Sequence, residues 1–200
     1  MRDFGSAIIL AGGKSTRMGF DKQLLYLRER RLMDNLINKL KNVFIDIIIV
    51  TNKPEYYCGL AHRITEDIIS DGGPLGGIHA GLSIASSRYS YVIACDMPNI
   101  NQEYIEYMKN ELLRTESQGC VSMYGSFVEP FNAFYSKDLI LPIEKFLSNG
   151  QRAIHRFLHD KNFVCIPETT ARKYSPDWDM FFNLNTREDV STYLKREGGV

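Results

Sequence analysis

Apolar residues follow two rhythms along this chain. Continuous runs at Ala7-Ile8-Ile9-Leu10, Ile47-Ile48-Ile49-Val50 and Tyr91-Val92-Ile93-Ala94 are of strand length and show no polar alternation. That predicts strands buried on both faces. Between the runs the spacing becomes helical. Positions 32, 33, 36, 37 and 40 share one helical face, as do Tyr104, Ile105, Met108 and Leu112 within a helix predicted over 101–114. His62–Thr65, Cys120–Tyr124 and Glu129–Tyr135 read as further strands, and another helix is expected over 78–86. No linker, repeat or low-complexity segment interrupts the alternation. It implies one α/β domain over residues 1–200: three layers, with a mostly parallel twisted sheet and helices on both faces.

In such a sheet ligands bind beyond the carboxyl ends of the strands, so the residues after each run carry the chemistry. The first run breaks at Ala11-Gly12-Gly13, where two glycines are expected to permit positive φ and close approach of a ligand. Lys14, Arg17 and Lys22 follow, with hydroxyls at Ser15 and Thr16. A strand feeding a glycine-rich, cationic turn suits phosphate. It is not a P-loop, because the first glycine would have to stand at Ile8, and adjacent Gly12 and Gly13 rule out a dinucleotide fingerprint. The second run ends in Thr51-Asn52, which puts Asn52 on the same rim as Gly12, as a base or ribose contact or as a turn residue. The third ends in Cys95-Asp96-Met97-Pro98. An acid at the tip of a buried strand is costly unless it binds something, and a hard cation carried by a triphosphate would compensate it. A second glycine-rich stretch, Gly72-Gly73-Pro74-Leu75-Gly76-Gly77, is preceded by Glu66, Asp67 and Asp71. A carboxylate there can accept from N1–H and N2–H₂ of guanine, a donor pair that cytosine lacks.

Bulk properties narrow the partners. Lys and Arg number 24 and so do Asp and Glu, in 200 residues, so no global field draws nucleic acid or an anionic membrane. No signal peptide or membrane-spanning run is evident. Cys58, Cys95, Cys120 and Cys165 are widely spaced, which favours reduced thiols and a cytoplasmic location over a disulfide framework or zinc site. His155 and His159 have a metal-compatible spacing but no third ligand in evidence, so a surface or packing role is expected.

The first stretch, Leu10-Ala11-Gly12-Gly13-Lys14-Ser15-Thr16-Arg17-Met18-Gly19-Phe20-Asp21-Lys22, resembles the nucleotidyltransferase signature LAGGxSxRMGxDK without a break. GGPLGGI, CDMP at Cys95–Pro98, the strand Glu129–Tyr135, Gly150-Gln151-Arg152 and the ending Phe182-Asn183-Leu184-Asn185-Thr186 extend the likeness to about residue 190. Together they resemble the molybdenum cofactor guanylyltransferases, the MobA family. The resemblance implies a Rossmann-like nucleotidyltransferase fold whose N-terminal half binds nucleotide and whose C-terminal half binds the acceptor. It implies transfer of GMP from GTP to the phosphate of molybdopterin cofactor, with Mg²⁺ as cofactor and other cofactor-biosynthesis or acceptor enzymes as candidate partners. It assigns nucleotide contacts to Leu10, Ala11, Gly12, Gly13, Lys22 and Asn52, and to Asp67 or Asp71, with Asp67 preferred. Asp96 becomes the metal ligand, and Lys22, Arg17 and Asp96 the catalytic groups. Arg152, Asn183 and Asn185 fall on the acceptor side, where a surface charge and turn-holding asparagines are the alternatives. Phe131 and Asn132 depart from the family's pattern, a change expected to alter acceptor contacts. Gly12 stands where the related cytidylyltransferases carry a methyl, which favours a purine. A CTP-dependent enzyme of the same signature and a non-catalytic nucleotide-binding regulatory domain are the competing readings.

Overall fold

The structure is a computed structural model that describes residues 3–12, 26–27, 30–61, 63–69 and 71–197. In chain order it contains β1 (Phe4–Leu10), a short antiparallel pair β2 (Tyr26–Leu27) and β3 (Arg30–Arg31), α1 (Leu32–Lys41), β4 (Asp46–Val50) and β5 (Arg63–Thr65). There follow α2 (Gly73–Ile84), β6 (Tyr89–Ala94), α3 (Gln102–Thr115), β7 (Gly119–Tyr124), β8 (Phe127–Ser136) and α4 (Ile140–Ser148). The chain closes with α5 (Ile154–His159), β9 (Phe163–Ile166), α6 (Glu168–Ala171) and α7 (Arg187–Glu197). Seven strands form one sheet in the order β5-β4-β1-β6-β8-β7-β9. β5, β4, β1 and β6 run parallel, as do β7 and β9, whereas β8 is antiparallel to both β6 and β7. The strand–helix alternation is interrupted at the β2–β3 pair, between β4 and β5, and at the direct β7–β8 hairpin.

Alternate residues of the central strands feed two cores, which is why those strands read as unbroken apolar runs. Ala7, Ile9, Ile47, Ile49, Tyr91 and Ile93 pack with α1 and α3 on one face. Ile8, Ile48, Val50 and Val92 pack with α2, α4 and α5 on the other. The three-layer arrangement follows directly. α3 starts one residue later than predicted because Asn101 is its cap, with Oδ1 accepting from Tyr104 N at 2.9 Å. No helix among the described residues is long and apolar enough to cross a membrane.

The second glycine-rich stretch corrects the sequence reading most. It is not a loop before a helix at 78; it forms the first turns of α2. Pro74 sits in the first turn, where no intrahelical N–H is needed, and Gly76 N donates to Gly72 O at 3.2 Å. Gly73 supplies positive φ at 56°, whereas Gly77, and Gly81 beyond the stretch, supply space. A Cβ on Gly81 would lie 2.5 Å from Ile8 Cγ2, and one on Gly77 3.1 Å from Leu10 Cδ2. These two positions, a helical turn apart, let α2 settle on β1 at close range.

Below the sheet's other end a buried polar knot fixes β4. Asp46 accepts from Ser6 Oγ at 2.7 Å and Ser86 Oγ at 2.8 Å, and is paired with the Arg63 guanidinium. Burial alone would raise its pKa, but the Arg63, Ser6 and Ser86 hydrogen bonds outweigh it and hold the carboxyl below its ordinary value. A depressed folded pKa stabilises the protein above the unfolded value near ~3.9, and that contribution is lost as pH falls through the folded pKa. Asp46→Asn is therefore expected to cost about 2 kcal/mol at neutral pH by leaving Arg63 without its counter-charge. It should also flatten the acid limb of the stability curve below about pH 4. Urea titrations of both proteins between neutral pH and pH 3 check this, and parallel curves would contradict it.

Candidate active site

Four parallel strands end on one rim, and their ends are stitched together. Cys95 N donates to Leu10 O at 3.0 Å, Ala11 N to Val50 O at 2.9 Å, and Thr51 N to Thr65 O at 2.9 Å. The residues that leave this rim are Ala11-Gly12 after β1, Asn52 after β4, Asp67 after β5 and Asp96 after β6. The sheet thus brings together four of the segments singled out in the sequence. Ala11 is buried, while Gly12 and Asn52 are exposed. A Cβ on Gly12 would meet no atom of the described residues within 4 Å, and Gly12 is absent from the positive-φ glycines. The expected conformational need for glycine is therefore wrong at this position. What Gly12 supplies is open space on the crevice side.

Asp67 and Asp71 separate cleanly. Asp67 is half-buried against α2, with Oδ1 3.5 Å from the position a Cβ on Gly77 would take. Burial pushes its carboxyl pKa up. Asp71 is exposed, left-handed at φ 56°, and offers its backbone carbonyl to Arg152 Nε at 2.8 Å. Arg152 also donates from Nη1 to Leu147 O and Gln151 O. It is therefore joined to the entrance of α2, which the sequence reading placed on the nucleotide side.

Asp96 lies in the turn that follows β6 and is half-buried. Its backbone carbonyl accepts from Leu184 N at 2.9 Å, so Asn183 and Asn185 flank a residue bonded directly to the Asp96 turn. Asn183 Nδ2 reaches Phe181 O at 3.3 Å, and Asn185 N donates to Asp189 Oδ2 at 2.9 Å. Both asparagines line an open recess of about 430 Å³ together with Trp178, Phe182 and Arg196. Asn99 adds a second tie, from Nδ2 to Asp179 O at 3.1 Å. Gly13, Arg17 and Lys22 lie outside the described residues.

Asn132 is 1% exposed, adopts φ 51°, accepts from Tyr91 OH at 2.5 Å and donates to Met180 O. It bridges the sheet to the C-terminal segment. Two residues the sequence did not single out sit beside it in the same rim. Glu129, on β8, is half-buried with its pKa pushed up by burial, against smaller opposing effects of Trp178 and His155. Trp178 donates from Nε1 to Glu129 Oε1 at 3.5 Å. Finding Glu129 from sequence needs the β6–β8 register, which no local pattern carries.

A divalent cation fits this donor set. Mg²⁺ takes one or two carboxylates and fills its octahedron with phosphate oxygens and water, and Asp96 offers one carboxylate at the rim where a triphosphate would arrive. No cluster of three or more His, Cys, Asp or Glu exists among the described residues, and such a site does not require one.

Residues 7–163 match the family described as the MobA-like NTP transferase domain. A probable molybdenum cofactor guanylyltransferase from Peptoclostridium acidaminophilum is 49% identical over 95% of this chain and 88% of its own length. A molybdenum cofactor guanylyltransferase from Syntrophotalea carbinolica is 48% identical over 98% of this chain and 94% of its own. In fold, the crystal structure of molybdopterin-guanine dinucleotide biosynthesis protein A from Archaeoglobus fulgidus superposes with a TM-score of 0.84. It covers 98% of this chain and 100% of that one at 24% identity.

Proposed function

The chain belongs to the MobA-like NTP transferase family, and on that premise we propose that it is a cytoplasmic, Mg²⁺-dependent transferase. It moves GMP from GTP to the phosphate of molybdopterin cofactor, releasing pyrophosphate and forming the guanine dinucleotide cofactor. The observation that carries this reading is the single rim on which Gly12, Asp67 and Asp96 follow β1, β5 and β6. The rim offers one opening for a base, one carboxylate to read it and one carboxylate for a cation.

The chemistry follows from those parts. The acceptor phosphate has a second pKa near 6, so it is already an anionic nucleophile at neutral pH and needs no general base. The task left to the protein is to bring that oxygen in line with the α-phosphorus and to neutralise charge. Mg²⁺ held by Asp96 would supply Lewis-acid neutralisation of the α-phosphate and the leaving pyrophosphate. Asp67 accepts from the guanine N1–H and N2–H₂, and its half-buried setting strengthens that contact. Lys22 and Arg17 are assigned the pyrophosphate and the transition-state charge on their place in the signature. Arg152, Asn183 and Asn185 hold the acceptor. The segment 183–185 is bonded to the Asp96 turn, so the two substrates meet where the chain joins its two halves.

Gly12 makes the nucleotide choice testable. Because a Cβ there touches no atom of the described residues within 4 Å, Gly12→Ala should leave the unfolding temperature unchanged. A methyl projecting into the base's place should still raise the Kd for GTP about 10-fold or more. Calorimetry of GTP, CTP and ATP with Mg²⁺ on both proteins checks this. Wild-type preference for CTP would move the protein to the cytidylyl branch. Equal binding of all three nucleotides would mean that the loop reads phosphates only.

A further inference from the structure

The acceptor has two chemically opposite ends: an anionic phosphate and a pterin ring. The phosphate end is drawn to cations. The ring carries a 2-amino group beside N3–H, the same donor pair that guanine presents, and calls for an acceptor. Asp67 is proposed for guanine, which leaves the pterin edge without a partner.

β8 supplies one. β6 and β8 pair antiparallel, Tyr89 with Ser136 and Val92 with Ala133. That pairing ends at Val92 and Ala133, and Glu129 lies four residues further along β8, toward the rim, past the irregularity at Asn132. Glu129 therefore stands on the β8 side of Asp96, and Asp67, after β5, stands on the other. These two are the carboxylates among the described residues that burial pushes above their ordinary pKa. An acid facing an incoming anion would repel it, so a carboxylate kept here has to meet the donor edge of the acceptor.

The neighbourhood of Glu129 is aromatic and cationic, with the Arg172 guanidinium 5.2 Å from the centre of the Trp178 ring. Trp178 ends beside it, with Phe181 at 4.4 Å and Tyr124 at 5.2 Å between ring centroids. Trp178 is held at φ 63°, a conformation that costs a bulky residue of order ~1–3 kcal/mol and persists only where its surroundings impose it. The segment that imposes it is fastened to the site, by Met180 O to Asn132 and by Leu184 N to Asp96 O. The Trp178–Glu129 hydrogen bond is long at 3.5 Å, so a better-placed donor pair displaces it readily.

We propose that Glu129 and Trp178 form the subsite for the acceptor's ring, in which the Glu129 carboxylate accepts from the 2-amino group and N3–H of a 2-amino-4-oxo-pteridine and the Trp178 indole walls that ring. The inference rests on the reading of the protein as a molybdopterin guanylyltransferase. Trp178 is the chain's single tryptophan, so its fluorescence reports this subsite alone. The probe is 6-hydroxymethylpterin, which carries the ring without the phosphate. With GTP and Mg²⁺ present it should quench Trp178 saturably. Glu129→Gln, isosteric but bearing an N–H₂ where an acceptor is needed, should weaken that binding at least 10-fold. In GMP transfer the same variant should raise KM for molybdopterin at least 10-fold, with a smaller change in kcat and an unchanged Kd for GTP. Glu129→Asp keeps the charge one methylene away and should fall between the two. Wild type that fails to transfer GMP to molybdopterin overturns the functional reading. Wild type that transfers it, with a Glu129→Gln variant of unaltered acceptor KM and pterin affinity, overturns the subsite alone. A Glu129→Gln effect on GTP binding, or no quenching in an active wild type, overturns it as well.

Discussion

Asp96→Asn should lower kcat for GMP transfer about 10³-fold, equivalent to about 4 kcal/mol of transition-state stabilisation. Asparagine keeps the size and one carbonyl oxygen of aspartate, and replaces the charge and the second oxygen with an NH₂ that cannot hold a cation. The turn itself should persist, because the backbone carbonyl of residue 96 is held by Leu184 N and Met97 N bonds back to Ala94 O. The loss therefore reports the carboxylate and not the fold. Pyrophosphate release measured against Mg²⁺ concentration checks it. The variant should need far more Mg²⁺ than wild type and stay slow at saturation. A variant that turns over at the wild-type rate would remove Asp96 from the proposed metal site.

The largest effect on stability is expected far from that rim, at Gly119→Ala. Gly119 opens β7 and is paired on both sides, with Tyr135 of β8 and Phe163 of β9. A Cβ there would overlap the backbone carbonyl oxygen of Phe134 and the ring of Phe163. A flexible side chain can turn aside, but a ladder carbonyl moves only if the sheet moves with it. We expect a cost of about 3 kcal/mol, or a fall of about 10 °C in Tm for a chain of this size. The residual folded protein should keep its kcat, since Gly119 lies outside the site. Thermal unfolding followed by circular dichroism measures the first, and steady-state kinetics well below Tm the second.

What could be read before any coordinates was whatever is written locally. Ile47-Ile48-Ile49-Val50 is buried along its whole length because strands on both sides and helices on both faces cover it, and an unbroken apolar run encodes that. The helical face of 32–40 became the buried face of α1. The glycines of 72–77 misled because glycine is a poor helix former, and the reasons for them are long-range or conformational: Gly77 faces Leu10 of β1, Gly72 and Gly76 face the Ile69 carbonyl, and Gly73 takes positive φ. Gly12 does not take positive φ and has open space among the described residues, and neither fact is written in the local sequence. Arg152 could be placed on the acceptor side from its motif, but its bond to Asp71 O depends on where α4 delivers the chain. Glu129 and Trp178 become neighbours only through the β6–β8 pairing and the return of the C-terminal segment, and both are long-range facts.

That return also sets a clock. The turn carrying Asp96 is finished by Leu184, and Asn132 by Met180, both far downstream of the rim. A ribosome delivers the rim first and the clasp that closes it much later. A nascent chain can thus shape a place for GTP well before it completes the place where GTP is spent. Activity should switch on only once synthesis has passed the asparagines at 183 and 185, which spares a half-made enzyme from wasting its nucleotide.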